Sequence, residues 1–278
     1  MEVTVEQRIP FEAHYESQIT SEDEIISSMP LMDSHWPVAI ILVSYLVFVL
    51  ELGPKFMKDR KPYDLKLVMY LYNLGQVLSN LYFLSMVFRK RNLIPFLFQQ
   101  SCSPSPLPDL EMRTFIFHIS WFWLMTKISD LMDTVIFVLR KKQRQITFLH
   151  TYHHFTMVLS VWIYIKYVRG EQGVMIGIVN SMVHVVMYSY YFLSALGPAI
   201  QPYLWWKSHI TKLQLFQFAI LTVFYATLLS RCEISHLQKM YNWYAVSQGI
   251  LFTVLFSNFY MKSYKSAKEA KSKKISED

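Results

Sequence analysis

Three histidines, His150, His153 and His154, stand at i, i+3 and i+4. On a helix of 3.6 residues per turn that spacing keeps them within an arc of about 100°. Further on, Asn180, His184, Tyr188 and Tyr191 recur at i, i+4, i+8 and i+11, a polar stripe on one helical face. Upstream, Lys127, Asp130 and Asp133, with Thr134 after them, have spacings of three and four that place them on one broad face. Gln214 and Gln217 add a further pair. Clustered imidazoles serve two chemistries. They ligate metals, or they act as nucleophile and general base when a neighbour fixes the tautomer. Asp130 or Asp133 could orient an imidazole. Lys127 could balance the buried charge or stabilise an anion that develops in a thioester reaction. The metal alternative is a membrane lipid oxidase or desaturase-like enzyme using the His box. Membrane di-iron desaturases carry several such boxes. Here the remaining histidines, His14, His35, His118, His209 and His236, are scattered singly, so one box and His184 are all there is.

The elements that must hold these residues are membrane helices. Of 278 residues, 53% are hydrophobic and only 17% charged, against about 25% charged in soluble domains. The apolar residues fall in blocks of membrane-spanning length, about 20 residues each. Seven are expected: Trp36–Leu52, Leu67–Phe88, Phe115–Leu139, Phe148–Val168, Val174–Leu196, Ile210–Leu229 and Trp243–Met261. The expected fold is all-α and polytopic. It has an acidic segment over 1–35, a seven-helix membrane domain over 36–261 and a basic tail over 262–278. Trp121, Trp123, Trp162, Tyr70 and Tyr72 read as packing or interfacial aromatics.

Placing the C-terminus in the cytosol and the N-terminus in the lumen puts most of the 27 basic residues on the cytosolic side. In that topology the four polar stripes share the cytosolic half of the bundle. Ionisable groups in hydrocarbon are costly and mark function, so the stripes read as one buried site open to the cytosol. The net charge of +7 follows from topology and anionic headgroups and does not argue for nucleic acid. No internal repeat supports a transporter with two halves, and a seven-helix receptor has no use for the buried charges. Cys102 and Cys232 both fall in expected lumenal loops, where a disulfide is permitted; two free loop cysteines are the alternative.

The strings Lys127-Ile-Ser-Asp-Leu-Met-Asp-Thr134, His150-Thr-Tyr-His-His154, His184-Val-Val-Met-Tyr-Ser-Tyr-Tyr191 and Leu213-Gln-Leu-Phe-Gln217 occur in this order. Together they resemble the very-long-chain fatty acid elongase (condensing enzyme) family of animals over residues 30–265. The Leu213-Gln start and the Arg140-Lys-Lys stretch look most like the branch acting on saturated and monounsaturated chains. Asp130 departs from the family's usual Glu and withdraws the charge by one methylene. The resemblance implies condensation of a long-chain acyl-CoA with malonyl-CoA to a 3-oxoacyl-CoA two carbons longer, with release of CO2 and CoA. It implies seven helices, six of them around a substrate tunnel, in the endoplasmic reticulum membrane. It implies a ping-pong reaction through an acyl-imidazole on His153, with His184 as partner across the site and Asn180 nearby. No cofactor or metal is implied. Partners would be the two CoA substrates, the lipid bilayer, the reductases and dehydratase of the elongation cycle, and a possible second copy. Arg140, Lys141, Arg144 and Lys207 are placed to attract CoA phosphates, and Tyr188, Tyr191, Gln214 and Gln217 to line the substrate path.

Overall fold

The computed structural model describes residues 11–102 and 109–265. Residues 1–10, 103–108 and 266–278 lie outside it, and with them most of the expected tail. Among the described residues the regular structure is entirely helical. The helices are α1 (Phe11–Ser28), α2 (Trp36–Met57), α3 (Lys66–Arg89), α4 (Leu93–Cys102) and α5 (Leu110–Asp130). They continue with α6 (Met132–Leu139), α7 (Phe148–Ile163), α8 (Gly173–Ala195), α9 (Lys207–Arg231) and α10 (His236–Tyr260).

Local sequence sets several of these ends. Asp109 accepts hydrogen bonds from the Glu111 and Met112 amides and caps α5. Thr147 accepts from the His150 amide and starts α7 one turn before the histidines. Ser235 and Gln238 form a reciprocal capping box at the start of α10. Gly197, at φ 110°, turns the chain after α8.

Each expected apolar block falls on a helix, with three differences. The block Phe115–Leu139 divides at Leu131, whose amide bonds the Ile128 carbonyl three residues back, so α5 ends at Asp130 and α6 begins at Met132. The helices also outrun the apolar blocks, α9 from Lys207 and α10 from His236, because capping and helix propensity do not stop where hydrophobicity does. Helices α1 and α4 are too short or too polar to register as blocks.

Helices α2 (Trp36–Met57), α8 and α9 are each long and apolar enough to cross a membrane. Leu67, Leu71, Val223 and Ile250 are each more than half exposed. Such apolar surface is stable against lipid rather than water, and the chain is an all-α membrane protein. Helix α3 packs along α8, α9 along α10, and α5 against α7, α3 and α8. Helix α2 sits outside this group, against α6 and α7, where Tyr45 Oη lies 2.9 Å from Thr134 Oγ1.

At the end remote from His150, α1 docks through charge. Arg113 pairs with Glu22 of α1 and with Glu171, and Arg169 pairs with Asp23. Burial pushes the Glu171 carboxyl up from its ordinary range, against the opposing pull of Arg113. Trp121 and Trp162 donate to the carbonyls of Pro30 and Leu31 at 2.9 and 3.0 Å. At the same end a disulfide joins Cys102, the last residue of α4, to Cys232, just past α9, with Cα atoms 4.6 Å apart.

Candidate active site

Helices α5, α6, α7 and α8 bring the charged stripe together with the histidines. Lys127 is 2% exposed and its Nζ donates to Asp130 Oδ2 at 2.8 Å and Asn180 Oδ1 at 2.9 Å. The third contact is His184 Nδ1 at 3.3 Å. An ammonium has only protons to give, so Nδ1 of His184 accepts and its own proton sits on Nε2. The Tyr188 hydroxyl bridges Asp130 Oδ1 at 2.9 Å and Asp133 Oδ2 at 2.7 Å. Trp123 lies under the ammonium, 5.4 Å from it to the ring centroid. A buried cation needs such partners, because an ion without them loses several kcal/mol of hydration.

The histidines of α7 diverge. His150 and His154 pack on each other with ring centroids 4.3 Å apart. His153 points instead into an aromatic box of Phe218, Phe252 and Phe256, with centroids at 6.5, 5.0 and 6.4 Å. His150 Nε2 and His153 Nδ1 are buried without a hydrogen-bond partner in the described structure. Among the described residues, no group of three His, Cys, Asp or Glu is placed to hold a metal ion.

Two cavities meet at His153. The wider, about 350 Å³, is lined by Asp133, His150, His153, His154, His184 and Tyr191, with Arg144, Lys207 and Gln214 at the same opening. The narrower, about 90 Å³, runs the other way between α5, α7, α8, α9 and α10. Its walls include Trp123, His153, Asn180, Gln217, Phe218 and Phe252, and it reaches Tyr225 and Tyr241. The wider carries charged and polar side chains, whereas the narrower is mostly apolar beyond His153, Asn180 and Gln217.

Three expected residues are placed otherwise. Tyr188 is fully buried between the two aspartates and lines neither cavity, because its hydroxyl is committed to them. Arg140 directs its guanidinium to Met69 Sδ on α3, and Lys141 donates to the Lys58 carbonyl at 3.0 Å. Arg140 follows the last residue of α6, and Lys141 adopts left-handed backbone (φ 54°), which turns Arg140 toward the start of α3 and Lys141 toward the α2–α3 connection, away from the opening. Only Arg144 and Lys207 of the basic set face the wide cavity.

The aromatic walls were not expected. Trp123 reads as packing in sequence, Phe218, Phe252 and Phe256 carry no polar mark, and the Tyr225 hydroxyl is committed to the Gln172 carbonyl at 3.1 Å. A signal exists: Gln214, Phe218, Leu221 and Tyr225 continue the glutamine stripe at i, i+4, i+7 and i+11.

The ELO: GNS1/SUR4 family pattern matches residues 30–272. The chain is 41% identical over 254 residues to very long chain fatty acid elongase 4 of Homo sapiens, covering 91% of this chain and 79% of that protein. It is 39% identical over 261 residues to very long chain fatty acid elongase 1 of Mus musculus, covering 91% and 90%. Very long chain fatty acid elongase 7 of Rattus norvegicus is 37% identical over 250 residues, covering 90% and 88%. The matched span contains the polar site held by four helices, and over that span the chain belongs to the GNS1/SUR4 (ELO) family.

Proposed function

We propose that the protein catalyses the condensing step of fatty acid elongation, joining a long-chain acyl-CoA to malonyl-CoA through an acyl group carried on His153. The observation that carries this reading is that His153 lines both cavities. CoA is polyanionic and stays in water, so it belongs at the wide opening with Arg144 and Lys207. The acyl chain belongs in the narrow slot. The thioester carbon between them then meets His153.

In the first half, His153 attacks the thioester, the C–S bond breaks, and CoA leaves with the proton the imidazole gives up. In the second, malonyl-CoA loses CO2 and its enolate carbon takes the acyl group from His153. Apolar walls protect the enolate from wasteful protonation. His184, held by Lys127, and Asn180 face the reacting region from α8. His150 and His154 orient or support their neighbour, and Tyr191, Gln214 and Gln217 guide the substrates.

The same reading takes all seven long helical stretches as membrane spans and the two cavities as halves of one tunnel. The histidine end faces the cytosol and the disulfide end the lumen of the endoplasmic reticulum. The 3-oxo product passes to the reductases and dehydratase of the cycle, and a second copy of the chain is a possible partner. No metal or cofactor takes part.

The test is to incubate purified protein with acyl-CoA alone, then with labelled malonyl-CoA. Stoichiometric CoA release and an intact-mass increase equal to the acyl group are expected, followed by a labelled 3-oxoacyl-CoA. Release of CO2 with no 3-oxoacyl product would overturn condensation.

A further inference from the structure

Condensation consumes a proton, and the two halves differ in where. Acylation is balanced within itself: the imidazole exchanges its N–H for the acyl group, and CoA departs as a thiol. In the condensing half the malonyl carboxylate leaves as CO2 and a C–C bond replaces the C–N bond to His153. The freed ring must then gain one proton, because imidazolate is a far poorer leaving group than imidazole. One proton per turnover has to reach a buried site.

The network around Tyr188 holds one. Its hydroxyl lies 2.7 Å from Asp133 Oδ2 and 2.9 Å from Asp130 Oδ1. A phenol has a single proton, so it donates to one carboxyl, and the other contact needs a proton on the carboxyl itself. Lys127 Nζ, at 2.8 Å from Asp130 Oδ2, marks Asp130 as the carboxylate. One buried cation balances one anion, which leaves Asp133 as the acid. Of these four residues only Asp133 lines the wide cavity. At the far end Lys127 donates to His184 Nδ1, and His184 lines that same cavity.

We propose that Asp133, Tyr188, Asp130 and Lys127 form a proton relay that charges His184 for the condensing half-reaction. This rests on the acyl-His153 reading. Asp133 passes its proton to the Tyr188 oxygen, and Tyr188 passes its own to Asp130. Lys127 gives a proton to His184 Nδ1 and regains one from Asp130, whose carboxyl takes the proton at Oδ1 on the Tyr188 side and turns to deliver it to Lys127, bonded at Oδ2. Asp133 is left a carboxylate and is reloaded from solvent at the cavity mouth. His184, now an imidazolium, donates its Nε2 proton across the shared cavity to the free nitrogen of acyl-His153 as the new C–C bond forms. That His153 Nδ1 has no hydrogen-bond partner fits a nitrogen that must receive. His184 is left with its proton on Nδ1 and returns to the Nε2 tautomer by exchange with solvent in the wide cavity, which it lines, before the next turnover. Every proton given is then taken up, and no oxidant or reductant is needed.

The test separates the halves. Asp133→Asn can still donate a hydrogen bond to Tyr188 but has no acid proton to release. Full-length enzyme loaded with acyl-CoA alone should show the wild-type CoA burst, while condensation of the loaded enzyme on adding malonyl-CoA falls about 100-fold or more. Tyr188→Phe should do the same, and Asp133→Glu should recover part of the rate. In wild-type enzyme, a proton inventory of the condensing step in mixed H2O and D2O should curve, since several protons move together. Condensation by Asp133→Asn within about twofold of wild type, far below the general-acid contribution, overturns the relay. So does equal loss of burst and condensation, or a linear inventory in the wild type if the variants do not fold. Absence of any burst in the wild type overturns the acyl-histidine reading instead.

Discussion

The imidazole of His153 meets the ring of Phe252 edge to face, centroids 5.0 Å apart and planes at 82°. Of its two box companions, His154 also meets it edge to face at 5.7 Å while packing more closely on His150, at 4.3 Å. Of the three, only His153 meets the aromatic wall of Phe218, Phe252 and Phe256, while His150 and His154 form the tighter pair.

That separation predicts unequal variants. His153→Ala abolishes both the CoA burst and the covalent acyl adduct, seen by intact mass. His154→Ala lowers the rate but leaves an adduct at His153. A normal adduct elsewhere in His153→Ala would remove this residue from the covalent step.

The basic residues split by direction. Arg144→Ala and Lys207→Ala each raise KM for both CoA substrates by about tenfold, the loss of one charge-assisted contact worth about 1.5 kcal/mol. The effect shrinks at high salt. Arg140→Ala, whose guanidinium lies on Met69, leaves KM unchanged. Steady-state kinetics at two ionic strengths decide between this assignment and a diffuse basic patch.

Lys127→Met leaves Asp130 buried without its cation and destabilises the protein by about 3–5 kcal/mol, read as a lower Tm in detergent. The double variant Lys127→Met with Asp130→Asn recovers most of that Tm but no activity. Recovery of activity in the double variant would assign the pair to folding alone.

The Cys102–Cys232 bond closes a separation of 130 residues. Cys232→Ser costs about 2–5 kcal/mol of stability in the chain-entropy account, and reductant added to the wild type reproduces the shift. Thiol labelling before and after reduction of the native protein verifies the bond.

Ala245 lines the narrow cavity. Ala245→Phe fills it and shifts the preferred acyl-CoA toward shorter chains, with the initial CoA burst kept for those that still fit. A ladder of acyl-CoA lengths measures the shift. An unchanged preference would place the acyl chain elsewhere.

The site was legible in sequence to the extent that polar atoms are rare in membrane helices. Lys127, Asp130, His153 and His184 stand out because each is costly there, and helical spacing aligned them. Direction was less legible. Tyr188 and Tyr191 belong to one stripe, yet Tyr188 bridges the carboxyl groups of Asp130 and Asp133 while Tyr191 faces the wide cavity, a difference set by which helix stands opposite. Arg140 and Arg144 differ because Lys141 reverses the backbone between them. The aromatic slot was hidden because Phe218 and Phe252 look the same in sequence whether they face lipid, core or substrate.

The disulfide has a consequence for connectivity. Every residue assigned here to chemistry or substrate contact between Lys127 and Gln217 lies inside the covalent macrocycle it closes, residues 102–232. Helices α1 to α4, the last ending at Cys102, and α10 are two arms hung on that ring, supplying walls such as Phe252 but no reacting group. A single cut within the ring linearises it without releasing a fragment, so a nicked molecule stays one covalent piece until a reductant reaches the bond.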